Sequence, residues 1–257
     1  MLVTYTLDSG IAIIKLNRAE KFNAFIRQMS LDLQDALRKA EKDETVRAIL
    51  LIGEGKAFCA GQDLAEALDP SGPGIRKIVA EHYNPIILLL RQIEKPIVCA
   101  VNGVAAGAGA NIALACDIVL AGKSATFIQA FSKIGLIPDS GGTFILPRLV
   151  GMQRATALMM LAEKVSADDA VQMGMIYNSY EDEALYSEAY KMAMNLSNMP
   201  TKSLGLTKRL LNQSMTNDLV TQLAHEEVVQ AEAGQTKDFK EGVQAFLEKR
   251  KPLFVGK

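Results

Sequence analysis

The chain reads as an α/β domain, a mainly parallel sheet covered by helices, with a helical extension at its C-terminal end. Three observations point there. Residues 48–53 and 97–101 are continuous apolar runs of strand length, as a strand buried on both faces requires. Between such runs lie segments of helical periodicity, the signature of strand-helix-strand units. Beyond Gly151 strand-like runs almost vanish and the periodicity turns helical. With 257 residues and 49% hydrophobic content, the chain can bury a full core as one large domain or a domain with an appendage.

Taken in order, residues 3–7 and 11–16 are two short strands joined by Asp8-Ser9-Gly10, a turn suited to positive φ, and so predict a hairpin. Met29, Leu31, Leu33, Ala36, Leu37 and Ala40 recur at helical spacing before the strand 48–53. A second round follows, with a helix near 86–93, the strand 97–101, a Gly/Ala-rich helix from about Ala108 and a strand over 117–121. Helices are then expected over 155–161, 167–173, 183–196, 202–213, 218–232 and 238–249. The last two set charges of both signs around Leu219, Leu223, Val228, Val243 and Phe246, a pattern that packs either on a neighbouring subunit or on the parent domain. No Pro/Ser-rich linker separates the halves, and residues 68–74 are the best candidate for a mobile loop.

Composition narrows the function classes. A net charge of -1 without a basic face argues against a nucleic-acid partner. No run is long enough to span a bilayer and the N-terminal residues lack a basic-then-apolar leader pattern, so a cytoplasmic location without a membrane partner is expected. Cys59, Cys99 and Cys116 are an odd set without metal-like spacing and are read as reduced thiols. His82 and His225 are the only histidines, which leaves little room for a histidine triad or a metal site.

Two glycine-rich pieces follow strands, residues 53–64 and 102–111, and each puts free backbone N–H groups at the end of the sheet. Together they can make a two-donor pocket for an oxyanion; tight helix packing explains Gly107-Ala108-Gly109 equally well. Neither has dinucleotide-fingerprint or P-loop spacing. Asp139, beside the apolar stretch 134–138 and before Ser140-Gly141-Gly142, has two readings. It is a base whose pKa an apolar wall raises, or it caps a helix that begins near Gly142.

The order of motifs resembles the crotonase superfamily, the enoyl-CoA hydratase/isomerase fold, over essentially the whole chain. The matching pieces are Phe58-Cys59-Ala60-Gly61-Gln62-Asp63-Leu64, Lys95-Pro96 with Ala100-Val101-Asn102-Gly103, Cys116-Asp117, and Ile137-Pro138-Asp139-Ser140-Gly141-Gly142. The resemblance implies a ββα spiral core over 1–195 with the acyl-CoA site, and a C-terminal helical region over 196–257 for trimerisation and closure over CoA. It implies an acyl-CoA thioester as substrate, a homotrimer or dimer of trimers, and no separate cofactor. Backbone N–H groups of Gln62 and Ala108 would hold the thioester oxygen, where negative charge gathers when a neighbouring proton leaves. Family hydratases carry two glutamates where this chain has Asn111 and Phe131, so hydration by paired carboxylates is disfavoured and Asp139 remains as the lone acid. A lone carboxylate suits an isomerase, which moves a proton from one side of a double bond to the other. Tyr83-Asn84-Pro85, Phe131-Ser132-Lys133 and the stretch 241–247 narrow the resemblance to family isomerases of ring-epoxidised phenylacetyl-CoA. Phe131 would then be a water-excluding wall, or plain core. CoA would lie along Lys21, Phe22 and Ala24 and along Ala60, Gly61, Asp63 and Leu64, with Asp63 holding the loop. Phe246 and Lys249 would come from a neighbouring subunit, Lys249 pairing with a phosphate or remaining one solvated charge of a charged run. His82, expected to be partly exposed, falls outside the catalytic set.

Overall fold

The computed structural model describes residues 1–257. Strands β1 (Val3–Asp8) and β2 (Ile11–Leu16) pair antiparallel, and Ser9 and Gly10 between them both take positive φ, as the turn residues foretell. Helix α1 (Arg27–Lys42) buries Met29, Leu33, Ala36, Leu37 and Ala40 on one face. The chain then winds through three similar rounds. The first is β3 (Ala48–Gly53), β4 (Ala57–Cys59), α2 (Leu64–Leu68), α3 (Gly74–Lys77), a π-helical turn at Ile78–Tyr83 and α4 (Asn84–Gln92). The second is β5 (Ile97–Val101), β6 (Val104–Ala106) and α5 (Ala108–Leu114). The third is β7 (Ile118–Gly122), β8 (Thr126–Ile128), a 3-10 turn at Ala130–Ile134 and α6 (Gly142–Val150). There follow α7 (Met152–Leu161), β9 (Lys164–Ser166), α8 (Ala167–Gln172), β10 (Asn178–Tyr180) and α9 (Asp182–Ser197). The chain closes with α10 (Thr201–Ser214), α11 (Leu219–Ala233) and α12 (Lys237–Glu248).

Each round places its long strand in one sheet and its short strand in another, which is the ββα spiral. The larger sheet runs β1-β2-β3-β5-β7-β10, parallel beyond the opening hairpin. The smaller runs β4-β6-β8-β9, with only β9 antiparallel. Strand alternation divides the core between two faces. Ile11, Ile13, Leu50, Ile52 and Val98 meet Leu185, Ala189 and Ala193 of α9 on one side. Ile14, Ile49, Leu51, Cys99 and Val119 face the larger core, with α1, α4 and α5, on the other. Two covered faces explain why 48–53 and 97–101 are apolar without alternation.

The smaller sheet and β10 are not foreshadowed by the periodicity. Three-residue strands are too short for a period-two pattern to register, and Asn178-Ser179-Tyr180 is polar besides. Residues 68–74, read as a mobile loop, connect α2 to α3 and carry an Asp69 turn in which the Ser71 N–H and hydroxyl both donate to the carboxylate. After α9 the C-terminal helices are tied back through Arg47, which donates to Thr201 Oγ1, to Met199 O at 2.7 Å and to Phe254 O at 3.3 Å. Asp238, buried at the start of α12, accepts from the Val255 and Gly256 N–H groups, each at 2.7 Å.

Candidate active site

The site forms where the rounds of the spiral bring loop ends together. Phe25 N–H donates to Gly61 O at 2.7 Å and Asp63 N–H to Phe25 O at 2.9 Å, while the Gln62 N–H between them makes no hydrogen bond. Ala108 opens α5, so its N–H has no intrahelical acceptor. Gly61, at φ +92°, lets these segments meet: a Cβ there would lie 2.9 Å from Ala106 O and 3.7 Å from Ala108 N. Gly107, at φ +53°, turns β6 into α5 in a conformation that an L side chain strains to adopt. Two unspent amides thus line one cavity, at the end of a helix dipole that favours negative charge.

That cavity measures about 230 Å³, room for an acyl group but not for a whole CoA thioester. Its walls are mostly apolar, with Leu64, Ile78, Tyr83 and Phe131 prominent, and Asp139 is the only carboxylate among them. Phe131, 6% exposed, is both core and wall. The helix-cap reading of Asp139 is corrected here. Gly141 occupies the N-cap of α6 and no side chain caps that helix; the Asp139 carboxylate instead accepts from the Ser140 hydroxyl at 2.8 Å. Burial lifts the Asp139 carboxyl above its ordinary range, and the Ser140 bond only partly offsets that.

Around the amide of Gln62 runs a network that the sequence does not announce. The buried Tyr83 hydroxyl donates to Gln62 Oε1 at 2.7 Å, and Gln62 Nε2 donates to Glu66 Oε2 at 2.8 Å. Glu66 Oε1 in turn accepts from the Arg27 N–H at the start of α1, at 2.8 Å. Burial pushes the Tyr83 phenol well above its usual pKa, so it remains a donor. Tyr83-Asn84-Pro85 was the one available signal, and it marks the residue without its partners. His82 is not partly exposed. It is fully buried with both ring nitrogens unpartnered, burial depresses its pKa, and it is not among the residues that line the cavity.

The stretch Lys21–Ala24 runs beside Ala60–Leu64, with Ala60 N–H donating to Phe22 O at 2.9 Å and Ala24 N–H to Lys21 O at 2.9 Å. Lys21 and Phe22 are exposed at its rim. Asn23, buried at φ +54°, holds the stretch by donating to Glu54 O and Ala57 O. Asp63 is paired with Arg18 at 2.8 Å and caps α2 through the Ala65 N–H, and the Arg18 guanidinium first of all holds its carboxyl below the usual range. Ala60 and Leu64 reach both the cavity and solvent. Phe246, 84% exposed on α12, and Lys249 at its C-cap are not brought to this cavity within one chain. No three His, Cys, Asp or Glu side chains gather in a way that could hold a metal ion. No helix is long and apolar enough to cross a membrane.

The family model for enoyl-CoA hydratase/isomerase matches residues 6–257. The chain is 47% identical, over 98% of its length and 97% of the relative's, to the 1,2-epoxyphenylacetyl-CoA isomerase of Escherichia coli strain K12. It is 37% identical to the trans-2-decenoyl-[acyl-carrier-protein] isomerase of Streptococcus mutans, covering 99% of this chain and 98% of that one. Its fold superposes on the crystal structure of an enoyl-CoA hydratase from Bacillus anthracis with a TM-score of 0.96, at 30% identity and over 100% of both chains. With a ββα spiral, two free amides at its loop ends and this breadth of likeness, the chain belongs to the enoyl-CoA hydratase/isomerase family, the crotonase superfamily.

Proposed function

We propose that the protein is an acyl-CoA isomerase that converts ring-1,2-epoxidised phenylacetyl-CoA to the seven-membered oxepin-CoA and also moves double bonds from the β,γ to the α,β position. The observation that carries this is Asp139, the lone carboxylate of a mostly apolar cavity that the free amides of Gln62 and Ala108 also line. In the double-bond shift, Asp139 takes a proton from C2, whose C–H electron pair passes into the enolate held by the two amides. The pair returns to form C2=C3 while the C3=C4 pair takes the proton back at C4. Atoms and electrons balance, so no redox partner or further cofactor enters. A carboxyl lifted by burial is suited to this exchange, because its ionised form is a stronger base toward C2 than an ordinary carboxylate and holds the abstracted proton until C4 takes it back.

The identity to an epoxyphenylacetyl-CoA isomerase supports the aromatic substrate, and with it a place in phenylacetate catabolism. CoA would lie along Lys21–Ala24 and Ala60–Leu64. The region 196–257 would form a homotrimer or dimer of trimers and deliver Phe246 and Lys249 to a neighbour's nucleotide, in the cytoplasm. A second reading, a linear-chain Δ3,Δ2-enoyl isomerase, draws on the likeness to a decenoyl isomerase. Turnover of cis-3-hexenoyl-CoA and of enzymatically generated 1,2-epoxyphenylacetyl-CoA tests both. Processing of both substrates, with Asp139→Asn losing double-bond migration by about 10²-fold or more, supports the proposal. Reaction with the linear chain alone selects the second reading, and an Asp139→Asn variant as active as wild type removes Asp139 from the chemistry.

A further inference from the structure

Asn111 lies one turn into α5, three residues after the Ala108 amide, and is 1% exposed. Its side chain does not enter the cavity lining. Instead Asn111 Nδ2 donates to the carbonyl oxygen of Asp139 at 2.8 Å, and that same oxygen accepts the Gly142 N–H at 2.9 Å. The orientation of the amide is set from behind, where the buried Gln129 Nε2 donates to Asn111 Oδ1 at 2.8 Å. Space is reserved for this arrangement: a Cβ on Gly142 would lie 2.4 Å from Asn111 Nδ2. Ser140 and Gly141, both at positive φ, then carry the chain from Asp139 into α6.

We propose that Asn111 is a positioning residue for Asp139. One helical turn supplies both the Ala108 amide and the anchor of the Asp139 backbone, so the acid-base carboxylate is held at a constant place relative to the oxyanion donors. The turn needs such a tie. Two successive left-handed residues fold it away from regular structure, and the pull of a buried carboxylate toward water would otherwise swing Asp139 out of the apolar wall. The amide is the right group for the task, since it donates to Asp139 and accepts from Gln129 without adding a charge beside a carboxylate that must titrate.

This inference rests on the reading of Asp139 as the acid-base group, and the two fail separately. The test follows cis-3-hexenoyl-CoA conversion by purified wild type, Asp139→Asn, Asn111→Leu and Asn111→Asp, with thermal unfolding of each. Asn111→Leu keeps the volume and removes both hydrogen bonds; kcat is expected to fall roughly 10- to 100-fold with KM within about threefold, the mark of a displaced catalytic group. Asn111→Asp gives the second signature. Its new carboxyl donates to the Asp139 carbonyl when protonated, and when ionised it loses the donor and repels Asp139. The wild-type plateau above the Asp139 pKa is therefore expected to become a bell, falling again at higher pH. If Asn111→Leu is too unstable to assay, Gln129→Met, which frees the Asn111 amide without touching the turn, is expected to lower kcat about 3- to 10-fold. A folded Asn111→Leu with wild-type kcat beside an inactive Asp139→Asn overturns the positioning role alone, as does an unchanged pH profile in Asn111→Asp. An active Asp139→Asn overturns both readings together.

Discussion

Asp139 bears a cost in stability that its place in the cavity makes useful. Its folded pKa is raised by burial, so over the window between the unfolded and folded values the folded chain holds a proton that the unfolded chain has released. Stability is therefore lost as pH rises through that window. Two outcomes follow at this scale. Asp139→Asn is expected to raise the thermal midpoint at neutral pH, with the gain disappearing below about pH 4, where the unfolded carboxyl is protonated as well; calorimetry at the two pH values checks it. The acidic limb of kcat/KM in the wild type is expected to lie above about pH 4, because the base must be ionised and burial resists ionisation. Cys59 belongs to the same logic with a different result: its thiol is fully buried and pushed up to about 12, so it is inert packing behind the loop that carries the Gln62 amide rather than a nucleophile.

Between elements, the Tyr83 hydroxyl joins the π-helical wall of the cavity to the loop that carries the Gln62 amide. A π-helical turn is a rare local geometry, and such turns recur at functional sites because they re-aim a side chain within a helix. Tyr83→Phe removes the donor but keeps the ring against Phe25, whose centroid is 5.9 Å away. The loss of one hydrogen bond of about 0.5–1.5 kcal/mol is expected to lower kcat/KM roughly 3- to 10-fold, with bulky aryl thioesters affected more than short linear ones. Steady-state comparison of the two substrates checks it, and equal losses for both would leave the tyrosine a packing residue. On the far face of the sheet, Leu185 of α9 closes the second core; Leu185→Ala is expected to cost about 2–5 kcal/mol without changing the pH profile, since that face is remote from the cavity.

At the scale of the whole molecule, α11 and α12 present Leu223, Val228, Val243, Phe246 and Leu247 to solvent in the single chain. Large apolar side chains left exposed on two terminal helices fit the proposed contact with neighbouring subunits. The C-terminal tail is nonetheless firmly placed, because Asp238 holds the Val255 and Gly256 amides and Arg47 holds the segment from the core side. The expected outcome is a sedimenting species of three or six chains. If the proposed contacts of Phe246 and Lys249 with a neighbour's nucleotide form, Phe246→Ala and Lys249→Ala are expected to raise KM for acyl-CoA about threefold to fivefold while leaving kcat in place, since such contacts are equally strong in ground and transition states. A change in kcat without a change in KM would place both residues elsewhere.

The long elements were legible in the residues alone, because each signals its environment over many positions. Ala48–Gly53 is apolar throughout since helices cover both faces of the sheet, and Met29, Leu33 and Leu37 repeat at the spacing of one helix face. The motifs around Gly61, Gly107 and Asp139 likewise carried the family and the candidate chemistry, because chain geometry and the choice of acid are written at single positions. Tertiary structure alone decided the rest. The four-stranded sheet is made of three-residue strands that exist only once β4, β6, β8 and β9 lie side by side, so no local pattern encodes it. Whether Asp139 caps a helix or lines a cavity depended on where α6 begins and on what α5 places beside it. The burial of His82, the Tyr83–Gln62 bond and the Arg27–Glu66 bond depend on segments well separated in the chain. A hydrogen bond over such a separation leaves no periodicity, because its energy is realised only after the intervening core has packed.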